Sequence, residues 1–137
     1  MDTSEQYIKM CQKARAIQAA WKPAEGDFSY GNPMEYGGKE IVEVWAAVDA
    51  DDWEWKAEKH TWLPRQDQLQ EMVGGFAALE DFWYWCSYDN SGAAWDDIVQ
   101  EFVLPVAADG LTSLEQLWLA YVMSEKYGKR WTGEEWA

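Results

Sequence analysis

The chain has 137 residues, with 25 Asp and Glu against 11 Lys and Arg, for a formal net charge of −14. Hydrophobic residues make up 48% of it, including eleven tryptophans, seven tyrosines and four phenylalanines, so it can support a packed interior and is not a disordered chain. A direct nucleic-acid binder is disfavoured, because that needs clustered Lys and Arg, and two cysteines, Cys11 and Cys86, are too few for a disulfide scaffold.

Thr3-Ser4-Glu5-Gln6 has the form of a capping box with Thr3 as cap. Tyr7, Cys11, Ala14, Ile17 and Trp21 follow at helical spacing until Lys22-Pro23, which predicts an amphipathic helix of about five turns. Gly26, Gly31, Asn32, Pro33, Gly37 and Gly38 then punctuate a stretch with strand-like runs at Asp27–Tyr30 and Glu40–Val48. Asp49–Asp52 reads as an acidic turn, and Lys59–Leu63 as a third strand completing a small antiparallel sheet. Pro64 suits the first position of a helix with Leu69, Met72 and Val73 on its apolar face, stopped by Gly74-Gly75. Phe76, Leu79, Trp83 and Cys86 are spaced for another helix, although Phe82-Trp83-Tyr84-Trp85 fits a strand equally well. Trp95, Ile98, Val99, Phe102 and Val103 match a helical stripe closed by Pro105. Ser113-Leu114-Glu115-Gln116 is a second capping box, opening a helix that is apolar nearly all round through Met123 and stopped near Gly128. No repeat or linker interrupts the chain, so residues 1–137 are expected to form a single α+β domain: a small antiparallel sheet packed against an N-terminal helix and several C-terminal helices.

Two blocks resemble a known family. Trp62-Leu63-Pro64-Arg65-Gln66-Asp67-Gln68-Leu69-Gln70-Glu71-Met72 and Ser113-Leu114-Glu115-Gln116-Leu117-Trp118-Leu119-Ala120-Tyr121-Val122-Met123 are similar to small proteins encoded by phages and prophages of Gram-positive bacteria. The opening helix and the ending Trp131-Thr132-Gly133-Glu134-Glu135-Trp136 are similar too. The resemblance implies a bacterial-virus setting and carries over no catalytic residue.

Most catalytic chemistry lacks its residues. His60 is the sole histidine, so neither a His-rich metal site nor an HExxH motif exists. A nucleophile and base built from Cys11 and His60 has no local signature. Phosphate loops of the GxxxxGK[ST] and GxGxxG forms are absent, as is GxSxG. Asp49, Asp51 and Asp52 depart from a calcium loop, since Glu54 stands where such a loop needs glycine. No catalytic residue, metal or cofactor is expected. Trp53, Trp55, Trp83 and Trp85 suggest a stacking platform for sugars, but burial accounts more economically for most of the aromatics.

Charge distribution says more than its total. From Gln66 to Glu125 there are eleven carboxylates and not one Lys or Arg. On a helix over 95–103, Asp97 and Glu101 would share a face opposite Trp95, Ile98 and Phe102. An acidic, aromatic-studded surface built from Glu80, Asp81, Asp89, Asp96, Asp97, Glu101, Trp83 and Trp85 would suit a basic protein or nucleoprotein partner. The expected function is therefore non-enzymatic: a phage-encoded accessory protein, in its sharper form a nucleic-acid-mimicking inhibitor of a host defence nuclease, of the anti-CRISPR or anti-restriction type. A structural or assembly protein of the virus is the alternative, and a carboxylate-based hydrolase a more distant one. Met1–Glu5 lacks the basic and apolar regions of a secretory signal, and Leu117–Met123 is far short of the ~18 apolar residues that span a bilayer. The bacterial host's cytoplasm is the expected location.

Overall fold

The opening helix forms, but in two pieces and with a different cap. The computed structural model describes residues 1–46, 53–88, 94–96, 101–103 and 110–137, and for 53, 54, 87, 88, 94–96 and 101–103 the backbone alone. Helix α1 (Glu5–Lys13) is capped by Ser4, whose hydroxyl accepts from the Tyr7 amide. The cap therefore lies one residue beyond the expected Thr3, because the residue in extended conformation directly before the helix is the one whose side chain can reach the third amide. At Ala14 the backbone leaves helical geometry (φ −81°, ψ 65°), and α2 (Arg15–Ala20) restarts from there.

The described residues divide into two units, Met1–Arg65 and Gln66–Ala137. In the first, β1 (Phe28–Gly31) is the centre of an antiparallel sheet of order β2-β1-β3, with β2 (Ile41–Val44) and β3 (His60–Leu63) at its edges. A short 3-10 turn (Pro33–Glu35) lies between β1 and β2, and a one-turn helix, α3 (Trp53–Ala57), precedes β3. Register is fixed by Phe28↔Val44 on one side of β1 and Phe28↔Leu63 on the other. Helix α1 packs against β3. Tyr7, Met10, Cys11, Ala14, Ile17 and Leu63 are fully buried there, and the Tyr7 hydroxyl donates to the Pro64 carbonyl at 2.5 Å. Edge strand β3 is covered at Trp62 by the Gln18 amide, which accepts from the Trp62 N–H (2.7 Å) and donates to its carbonyl (3.0 Å). That pairing occupies backbone groups that an open edge would offer to another strand.

In the second unit, α4 (Gln66–Met72) lies against α6 (Leu114–Tyr127). It begins two residues after Pro64, whose carbonyl already serves Tyr7. Gly74 and Gly75 end it with φ of 113° and 67°, backbone that a side chain would strain. A 3-10 turn (Gly75–Ala78) then leads into α5 (Leu79–Tyr88), so Phe82–Trp85 is helix rather than strand. Helix α6 buries every residue from Trp118 to Met123, as its all-round apolar sequence requires. Ser113 caps it by accepting from the Gln116 amide, and Gly128 (φ 62°) closes it. The Gln116 side chain, fully buried, accepts from the Thr112 N–H at 2.9 Å. Aromatic faces join α5 to α6: Phe82 stacks on Trp118 at 3.7 Å between centroids, and Trp85 meets Tyr121 at 5.4 Å. The terminal residues fold into a small hairpin in which Trp131 pairs with Trp136, both buried.

The helix expected from Trp95 to Val103 does not form. Instead β4 (Ala94–Asp96) pairs antiparallel with β5 (Glu101–Val103), in the register Ala94↔Val103, Trp95↔Phe102, Asp96↔Glu101. A seven-residue spacing that brings Trp95 and Phe102 to one helical face also brings them opposite each other across a hairpin. Aromatic and β-branched residues favour the pleated alternative. Residues 97–100, with Asp97, Ile98 and Val99, lie outside the described set, as do Asp49–Asp52 and Asp89. Among the described residues no helix is long and apolar enough to cross a membrane.

Candidate functional site

Helix α5 carries two apolar stripes, and only one of them meets α6. Ala78, Phe82, Trp85 and Cys86 turn inward and are buried. Three and four residues apart on the opposite side stand Glu80, Trp83 and Tyr84, with Asp81 beside them, all exposed. Trp83 is 66% and Tyr84 62% exposed, and Phe76, in the 3-10 turn leading into the helix, reaches 86%. Three large aromatics held this far out of the core, flanked by carboxylates, are unusual for a surface whose only purpose is solvation. The flanking acids lie within a stretch from Gln66 to Glu125 that contains no cation.

Three of the expected partner-binding residues, Glu80, Asp81 and Trp83, thus share one exposed face. Trp85 does not belong to it: at 6% exposed it fills the α5–α6 interface, because it sits two positions on from Trp83 and so turns toward the opposite side of the helix. Asp96 and Glu101 are register partners on β4 and β5, and β4 approaches α5. They are brought opposite each other by strand pairing, not by a shared helical face with Asp97. Asp89 and Asp97 lie outside the described residues. Phe76 and Tyr84 were not anticipated. Phe76 fits the inward spacing with Leu79 and Cys86, whereas Tyr84 follows Trp83 on its exposed face once the segment is helical.

A second polar cluster lies in the first unit. Ser29, fully buried on β1, accepts from the Trp45 indole N–H at 2.6 Å and meets His60 Nδ1 at 2.7 Å. The imidazole is thereby held between two hydroxyls, Ser29 at Nδ1 and Tyr36 at Nε2 (2.6 Å), each of which can donate or accept. Burial, the largest influence, pushes the imidazole below its ordinary 6.5, Glu43 opposes that shift and Lys56 adds to it. Lys56 and Glu43 pair at 2.5 Å. A serine and histidine at this distance have the parts of a nucleophile and base. However, the serine has no access to solvent and the imidazole is neutral and fully engaged, so the cluster organises the sheet. Cys11 is no nucleophile for His60 either: burial raises its thiol far above the usual range, which keeps it protonated. Both cysteines are buried thiols outside any disulfide, Cys86 being pushed up by burial to about 11.

The four-tryptophan sugar platform loses Trp85 to the core. Trp55 is exposed but lies under the Lys59 ammonium, 4.1 Å from the ring centroid. Among the described residues no group of three or more His, Cys, Asp or Glu is placed to hold a metal ion. No family model, curated protein or solved structure matches the chain.

Proposed function

We propose that this protein acts by binding a basic protein surface through the exposed face of α5, with Trp83, Tyr84 and Phe76 as apolar anchors and Glu80 and Asp81 as the charged flank. One observation carries the reading: Trp83 and Tyr84 stand beside carboxylates on one exposed face of α5, with Phe76 exposed in the turn that leads into it, and each of the three is more than 60% exposed. Aromatic side chains bury much area at little entropic cost, and carboxylates steer a cationic partner into register. In its sharper form the protein is a phage-encoded accessory factor that occupies the nucleic-acid channel of a host defence nuclease, its carboxylates standing in for phosphates. The charge imbalance of Gln66–Glu125 and the resemblance of Trp62–Met72 and Ser113–Met123 to phage proteins support that form.

Capture from bacterial lysate at two salt concentrations, with the wild type beside Trp83→Ala and the double variant Glu80→Lys/Asp81→Lys, tests it. The proposal expects a basic protein retained at low salt, released at high salt, and lost from both variants. Retention by both variants would exclude this face.

A further inference from the structure

A separate feature of the first unit concerns a different ligand. Helix α1 packs against β3, the edge opposite β2, and residues of β2 stay open. Val42, the register partner of Tyr30, is 44% exposed, and Val44 is 59% exposed. Beside the helix lies a cleft of about 370 Å³, lined by Thr3, Glu5, Ile8, Lys9, Gln12, Tyr30 and Glu40. Thr3, Glu5, Ile8, Lys9 and Gln12 lie along one face of the α1 region, and Glu40 immediately precedes β2.

Tyr30 makes this more than an acidic surface. Its side chain is 93% buried (7% exposed) and lines the cleft, and no protein group receives or donates a hydrogen bond at its hydroxyl among the described residues. The hydroxyl itself is not sealed from solvent, so it opens into the cleft, where a ligand can reach it. Burial raises its pKa, and the charges of Glu40 and then Glu5 raise it further, which places both carboxylates within electrostatic reach of that hydroxyl. Lys9 adds one positive charge to the same lining, leaving one carboxylate in excess.

We propose that this cleft is a binding site for a small organic cation, a protonated amine or a guanidinium, held between the Glu5 and Glu40 carboxylates with the Tyr30 hydroxyl as a further acceptor. The planar N–H donors of a guanidinium can serve a carboxylate and a phenol oxygen together. Ile8 offers an apolar wall for the methylene stem of such a ligand. The cation has two sources, a free diamine-like metabolite or an arginine side chain presented by another protein, and the chemistry of recognition is the same. This inference goes beyond the α5 reading and does not depend on it.

The test is a titration of the isotopically labelled protein with agmatine and, in parallel, with a short peptide holding one arginine among glycines, followed by NMR. Saturable shifts confined to residues 3–12, 30 and 40 are expected, with Glu5→Gln and Glu40→Gln each weakening binding about three- to tenfold and Tyr30→Phe weakening it without unfolding the sheet. Lys9→Gln should tighten binding, since it removes the competing charge. Tenfold tighter binding of the peptide assigns the site to a protein side chain, and equal binding assigns it to the free cation; both outcomes uphold the site. Shifts that rise linearly without saturation, or binding that survives Glu5→Gln/Glu40→Gln undiminished, would overturn it. Trp83→Ala should leave this titration untouched, which separates its failure from failure of the α5 surface.

Discussion

Asp27 is 2% exposed, and its carboxylate ties the end of the helical arm to the start of the sheet. Oδ2 accepts from the Trp21 indole (2.8 Å) and the Ala24 amide (2.9 Å), while Arg65 lies 3.9 Å from Oδ1 and donates to the Gly26 carbonyl. Asp27→Ala would leave those two N–H donors without their acceptor and remove the carboxylate charge beside Arg65, so denaturant unfolding should show a loss of about 3 kcal/mol. Gly31 is constrained by space: a Cβ there would stand 2.8 Å from the Tyr36 ring. Gly31→Ala should therefore displace Tyr36 from His60 and cost about 1–3 kcal/mol in the same measurement. His60 gives the unit a pH dependence of defined sign. Its pKa is lowered in the fold, so the unfolded chain holds the proton more tightly. Stability is complete above the unfolded value of 6.5 and declines as pH falls through it, levelling off once the folded state protonates too. Thermal melts between about pH 7.5 and pH 5 should show that decline, and Ser29→Ala, which removes the hydroxyl bonded to Nδ1, should alter its size. None of these clusters was legible in the sequence. Asp27, Ser29, Tyr36, Trp45 and His60 are far apart in the chain, and strand register brings them together.

At the scale of elements, what was legible depended on whether a segment allowed one periodicity or two. Helix α6 allowed one. Its capping serine, its run of buried residues and its terminal glycine are all present, and Ser113→Ala should lower stability by about 0.5–2 kcal/mol. Trp118→Ala, which removes the ring stacked on Phe82, should cost about 3–5 kcal/mol. The three strands were legible for a similar reason, since glycines and Asn32-Pro33 bound them and β-branched residues fill β2. The segment 94–103 allowed two, and tertiary pairing selected the hairpin. In α5 a strand over Phe82–Trp85 fitted as well as a helix, and within the helix that forms two apolar stripes competed for the interior. Contact with Trp118 and Tyr121 selected the Phe82–Trp85 stripe and left Trp83 outside. Trp83→Ala should accordingly change stability by less than about 0.5 kcal/mol while abolishing partner binding, a separation that no core tryptophan would give.

Across the whole molecule, charge and tryptophan have different destinations. Trp45 and Trp62 are buried within the first unit and Trp85, Trp118, Trp131 and Trp136 within the second, while Trp55 and Trp83 stand exposed. The carboxylates of Gln66–Glu125 have no cation in their own stretch of chain to offset them, and Tyr121 registers that field, pushed up to about 12 by burial and then by Glu125 and Asp81. A surface of one sign beside exposed aromatics is suited to meeting its opposite. The decisive measurement is the dissociation constant of the captured partner for wild-type protein and for Glu80→Lys/Asp81→Lys, at about 50 and about 300 mM salt. The proposal predicts at least about a tenfold loss of wild-type affinity over that range, and little residual binding by the charge-reversed variant at either salt concentration. Equal affinity at both salt concentrations, or a charge-reversed helix that binds as the wild type does, would contradict it.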